Sequence, residues 1–184
     1  MIWNKRYISV AHSFLSPSKP HWINYDIDKL RASYDNHQQA AIGTRIHALA
    51  EEHIKLKIRM PQNTMSVNAF VNDAIGYRMD PEVLLYYSDN AFGTADAISF
   101  IDGVLRIFDL KTGKAPGKPA QLETYAALFC LEYGYNPNDI DILLAIYQND
   151  EIYEWSPEPG SVIHIMGRII EYDKIIEEMK VSYD

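Results

Sequence analysis

Asp102 and Gly103 stand between two apolar runs, Ala95 to Ile101 and Val104 to Leu110. An Asp-Gly pair in that setting predicts a β-hairpin closed by a type I′ turn, because both central residues must adopt positive φ. A two-residue turn fixes the register. Ile101 pairs with Val104, Phe100 with Leu105, Ile98 with Ile107 and Asp96 with Asp109. Side chains alternate along a strand, so these pairs share a face. Counted from the turn, Asp96 and Asp109 form a non-hydrogen-bonded pair, with Cβ atoms about 4.5–5.5 Å apart.

Like charges placed opposite each other destabilise a sheet. At ~5 Å and an effective dielectric of ~20 the repulsion is roughly 3 kcal/mol. A bound divalent cation would offset it, since hard cations take carboxylate oxygens; a shared proton is the other solution. Lys111 follows Asp109 by two residues and points from the same face. Two carboxylates and a lysine are thus expected to converge at the end of an otherwise apolar hairpin.

The 184 residues suit one domain, 1–184, with 1–35 as an N-terminal arm of mixed aromatics and loop signals. Cys130 is the single cysteine, so neither a disulfide framework nor a cysteine metal cluster is expected. The opening Met1-Ile2-Trp3-Asn4-Lys5-Arg6 lacks the apolar core of a signal peptide. The apolar run from Ile142 to Tyr147 is too short to span a membrane. A reducing cytoplasm, with no membrane partner, is the expectation. The net charge of −8 argues against a general nucleic-acid coat, but −6 of it lies in residues 150–184, with nine acids and three bases. Lys111, Lys114 and Lys118 form a local basic run free of acids, which leaves room for a basic groove on an acidic body.

In the arm, Trp3, Tyr7, Phe14, Trp22 and Tyr25 surround a loop, Ser16-Pro17-Ser18-Lys19-Pro20, and are expected to pack against the domain. Periodicity predicts a helix over 36–58, with Ile42, Ile46, Leu49, His53 and Leu56 as its apolar stripe. His47 lies beside that stripe, in line with Gly43, Ala50 and Ile54, while His53 reads as a buried, hydrogen-bonded histidine. A second helix is expected over 66–77, with Ser66 as N-cap and Val67, Phe70, Val71 and Ala74 inward. Residues 81–87 read as a strand on which Glu82 is either an exposed strand end or within reach of the carboxylate site from behind the ligands. Pro119 starts a helix that Gly134 ends, with Gln121 and Tyr125 four apart near its N-terminus, where free N–H groups can meet a phosphate. Strands over 141–147 and 152–155 and a helix over 161–180 complete the chain.

Gly43-x-x-x-His47 on a helix, Gly93-Thr94-Ala95-Asp96, Asp109-Leu110-Lys111-Thr112-Gly113-Lys114 and Gln121-x-x-x-Tyr125 follow one another in this order. The series resembles the PD-(D/E)XK nuclease superfamily in its RecB-type branch, which includes phage recombination exonucleases. It covers residues 43–133. The resemblance implies an α/β, restriction-endonuclease-like fold, a central mixed β-sheet flanked by α-helices. It implies Asp96, Asp109 and His47 as metal ligands, with the Leu110 carbonyl as a further one, and Lys111 as the catalytic lysine. Gln121 and Tyr125, with Lys114 and Lys118, would lie along DNA. Mg2+ or Mn2+ would be the cofactor; the iron–sulfur cluster of some relatives needs four cysteines and is not expected. DNA is the implied partner, alongside a recombination or replication protein and further copies of the chain, in a bacterial or phage-infected cell.

The residue chemistry fits independently. Phosphodiester hydrolysis needs a nucleophilic water and neutralised charge at phosphorus, which a carboxylate-held cation and a lysine supply. A metal-dependent DNA exonuclease acting on ends is the leading expectation. An endonuclease of the same chemistry, a non-catalytic DNA-end or protein-binding module, and a metal-free carboxylate pair sharing one proton remain as alternatives.

Overall fold

The computed structural model describes residues 13–113 and 115–181. Trp3, Tyr7 and Lys114 lie outside the described residues. The chain divides into two compact units, Met1–Ile42 and Gly43–Asp184. The division falls within the first helix, α1 (Ile27–Leu56).

In the first unit, a 3-10 turn over Pro20–Asn24 precedes α1. Asp26 Oδ1 accepts the Lys29 N–H at 2.7 Å, an N-cap bond that starts the helix nine residues earlier than periodicity predicts. Phe14 stands edge-on to Tyr34, with ring centroids 5.1 Å apart, and the Trp22 indole donates to the Ser16 carbonyl at 3.0 Å.

The second unit is α/β. After α2 (Ser66–Gly76) come β1 (Asp80–Ser88), β2 (Ala91–Ile101), β3 (Val104–Leu110), α3 (Pro119–Tyr133), β4 (Asp141–Gln148), β5 (Glu151–Trp155) and α4 (Pro159–Val181). The five strands form one mixed sheet in chain order, with β3 and β4 parallel and every other pair antiparallel. A parallel pair requires a crossover, which α3 provides. One sheet face packs α3 and α4 through Leu105, Ile107, Leu122, Phe129, Leu144 and Val162. The other packs α2 and the second half of α1 through Ala50, Ile54, Phe70, Phe108, Leu110 and Tyr147. This is the helix-flanked mixed sheet expected of a restriction-endonuclease-like fold.

Local signals account for most boundaries. The Asp102–Gly103 turn has φ of +52° and +79°, and the pairs from Ile101↔Val104 to Ile98↔Ile107 are those predicted. Gly134 ends α3 in the left-handed conformation, φ +72°. Two expectations need correction. Ser66 is the first helical residue, not the cap; its Oγ accepts the Asp150 N–H at 2.8 Å and ties α2 to the β4–β5 turn. On α1 the buried line is Gly43, Ala50 and Ile54, whereas Ile42, Leu49 and Leu56 are 38%, 42% and 60% exposed. Small side chains let the helix approach the sheet closely, and this outweighs the wider aliphatic stripe. His53 is half-buried and hydrogen-bonded, its Nδ1 2.9 Å from the Ile58 carbonyl oxygen beyond the helix end. Among the described residues no helix is long and apolar enough to cross a membrane.

Candidate metal centre

The rotation of α1 that buries Gly43 also places His47, one turn later, beside the sheet. A Cβ on Gly43 would lie 2.6 Å from Thr112 Oγ1, just past the end of β3. The glycine therefore permits close approach of helix and strand end, and so brings His47 Nδ1 within 3.5 Å of Asp96 Oδ2.

Asp96 sits where strand regularity breaks. Ala95 belongs to the core under α3 and α4, yet Ala97, two residues on, belongs to the core under α1 and α2. Alternation is interrupted between them. Opposite, β1 pairs Pro81 with Ala97 and Val83 with Ala95, and the intervening Glu82 has φ +52°, rare for a residue with a side chain. The β2–β3 pairing ends at Ala97↔Phe108, one pair short of the Asp96–Asp109 match the turn predicts. Asp96 Oδ2 instead accepts the backbone N–H of Leu110 at 2.8 Å.

Asp109 is buried, its side chain 3% exposed, and keeps the parity of Leu105 and Ile107 toward α3. Lys111 Nζ donates to Asp109 Oδ1 and to Gln121 Oε1, both at 3.0 Å, and Gln121 Nε2 stands 3.4 Å from Asp109 Oδ1. Asp109 Oδ2 lies 2.9 Å from the same ammonium, but no donor is aligned with it. It is buried within that ion pair.

The structure thus brings together two sets. His47, Glu82 and Asp96 each offer a ligand atom within 4.8 Å of the other two. Asp109, Lys111 and Gln121 form a hydrogen-bonded set joined to the first through Leu110. Asp109 is not a member of the first group, and the Leu110 group seen in contact is its N–H. Burial pushes the Asp96 carboxyl up to about 6; the Asp109 charge pushes it further, while the Leu110 N–H and His47 pull it back. Three carboxylates and one ammonium carry a formal charge of −2. That charge and a donor set of imidazole and carboxylate fit a divalent cation.

The remaining predicted residues lie around these sets. Tyr125 packs under β2, where a Cβ on Gly93 would meet its Cε1 at 2.9 Å. Lys118 is exposed at the N-cap of α3. Cys130 is buried in α3, its thiol pushed up to about 11 by burial. One organising residue escaped the sequence reading. Gln148, expected only to turn the chain, donates to the carbonyls of Gly113 at 2.6 Å and Ala115 at 2.7 Å and accepts the Gly117 N–H at 3.0 Å. It pins the loop between Lys111 and α3, and no local signal marks it. No protein-family model, curated protein or solved structure matches the chain.

Proposed function

We propose that the chain is a divalent-metal-dependent DNA nuclease, an exonuclease acting on DNA ends, in the manner of the RecB-type PD-(D/E)XK enzymes its motifs resemble. The observation that carries this reading is Lys111 Nζ, held between Asp109 and Gln121 in a site with an excess of carboxylates. A structural ion pair has no use for His47 and Asp96 crowded beside it.

His47 and Asp96 would hold the cation, with Asp109 next to it. When bound, it supplies charge neutralisation at phosphorus and a more acidic water. The chain's own groups do the rest. The Asp109 carboxylate pairs with the Lys111 ammonium. Two acceptors fix the ammonium, which leaves its third proton for a phosphoryl oxygen or the attacking water. Gln121 holds Lys111 from the first turn of α3. Lys118 at the same helix end adds charge along the strand.

End-labelled linear DNA and closed circular single-stranded DNA, incubated with Mn2+, test the assignment. Loss of the linear substrate with survival of the circle is expected. Cleavage of both would make the protein an endonuclease, and tight binding without cleavage would make it a DNA-end binding module.

A further inference from the structure

The motifs that suggest a nuclease do not include Glu82, yet the geometry points to it as a direct ligand: we infer that His47, Glu82 and Asp96 together form one cation site of a nitrogen and two carboxylates, selective for Mn2+ over Mg2+. This rests on the metal-dependent reading above and deepens it by naming the ion and its third ligand. The three ligand atoms lie within 4.8 Å of one another. Ligands on bonds of ~2.1 Å stand about 3.0 Å apart when adjacent and about 4.2 Å when opposed. Side-chain adjustments of under an ångström therefore close the site.

Glu82 is free to take this role and Asp109 is not. The Glu82 side chain makes no hydrogen bond or ion pair with any described residue. Asp109 is already engaged by Lys111 and Gln121, with both of its oxygens within 3.0 Å of the Lys111 ammonium. The positive φ of Glu82 belongs to the same picture. It falls where both neighbouring pairs stay in register, so no insertion in the strand demands it. A left-handed residue in a strand turns its side chain out of the regular alternation, here into the group with His47 and Asp96.

The choice of ion follows from the donors. Mg2+ prefers oxygen alone, demands near-ideal octahedral geometry and gives up its waters reluctantly. An imidazole nitrogen raises the affinity for first-row transition ions relative to Mg2+.

Calorimetric titration of the full chain with Mn2+ and, separately, with Mg2+ tests this without any cleavage assay. Mn2+ is expected to bind at least tenfold more tightly than Mg2+. Glu82→Gln is expected to weaken Mn2+ at least tenfold, whereas Asp89→Asn, on the following turn, leaves it unchanged. Glu82→Gly separates binding from folding: glycine accepts positive φ, so its melting temperature without metal is expected to equal or exceed wild type while Mn2+ affinity falls. Wild-type Mn2+ binding that Glu82→Gln leaves intact would overturn the inference and spare the nuclease reading. Equal affinities for the two ions would overturn the selectivity. Binding of neither ion by the wild type would overturn the metal-dependent reading as well.

Discussion

Leu110 gives its backbone N–H to the Asp96 carboxylate at 2.8 Å, at the point where β2 and β3 stop pairing. In a continued ladder that N–H would bond the carbonyl of Ala95. The side chain has taken the place of the strand. A carboxylate drawn into a sheet in this way is partly desolvated, faces Asp109 and gains one compensating bond. The Asp96 carboxyl is held above its usual range, at about 6.

That shift sets a pH dependence in metal-free protein. The folded chain retains the Asp96 proton up to about pH 6, whereas the unfolded chain releases it near its ordinary value of 3.8. Stability therefore falls as pH rises between these values, by up to about 3 kcal/mol. Urea melts in chelator across this window are expected to show the slope in wild type and lose it in Asp96→Asn. The same proton competes with a cation, so metal affinity is expected to rise through pH 6.

Removal of Lys111 leaves the Asp109 carboxylate buried and unpaired. Lys111→Met is expected to cost about 3–5 kcal/mol, and Asp109→Asn on the same background to recover most of it. Denaturant unfolding of both variants checks this. Simple additivity of the two losses would mean that the pair is not coupled.

The hairpin and α3 were legible because their determinants are local. Asp102-Gly103 dictates the turn, and Pro119 and Gly134 bracket a helix. The register counted from that turn holds to Ala97↔Phe108 and stops short of Asp96–Asp109, the pair on which the site was expected to rest. The working face of α1 was not legible from hydropathy, because its line of Gly43, His47 and Ala50 carries little apolar signal and matters through closeness of approach. The twist at Glu82 was hidden for another reason. Nothing in Pro81-Glu82-Val83 favours positive φ at the glutamate.

Gly93 illustrates a motif residue explained by packing. A methyl group there would meet the Tyr125 ring at 2.9 Å, and a ring cannot fold away as a flexible chain can. Gly93→Ala is expected to cost about 1–3 kcal/mol. Combined with Tyr125→Leu, the effects should depart from additivity by about 0.5 kcal/mol or more. A thermal-unfolding double-mutant cycle measures this; strict additivity would place the ring elsewhere.

Gln148 makes three bonds to the loop between Lys111 and α3. Gln148→Ala is expected to lower global stability by about 1–2 kcal/mol and to speed hydrogen exchange at the Gly117 amide selectively. Unchanged protection at Gly117 would show that the loop is held by other contacts.

Cleavage of linear DNA by the wild type and by Lys111→Met, with Mn2+ and with chelator, tests the central claim most directly. The account predicts degradation by the wild type in Mn2+, none in chelator, and a loss of about 100-fold or more in the lysine variant under conditions where it remains folded. Wild-type protein that leaves both duplex and single-stranded DNA intact in Mn2+, or a lysine variant that cuts as fast as wild type, would contradict it.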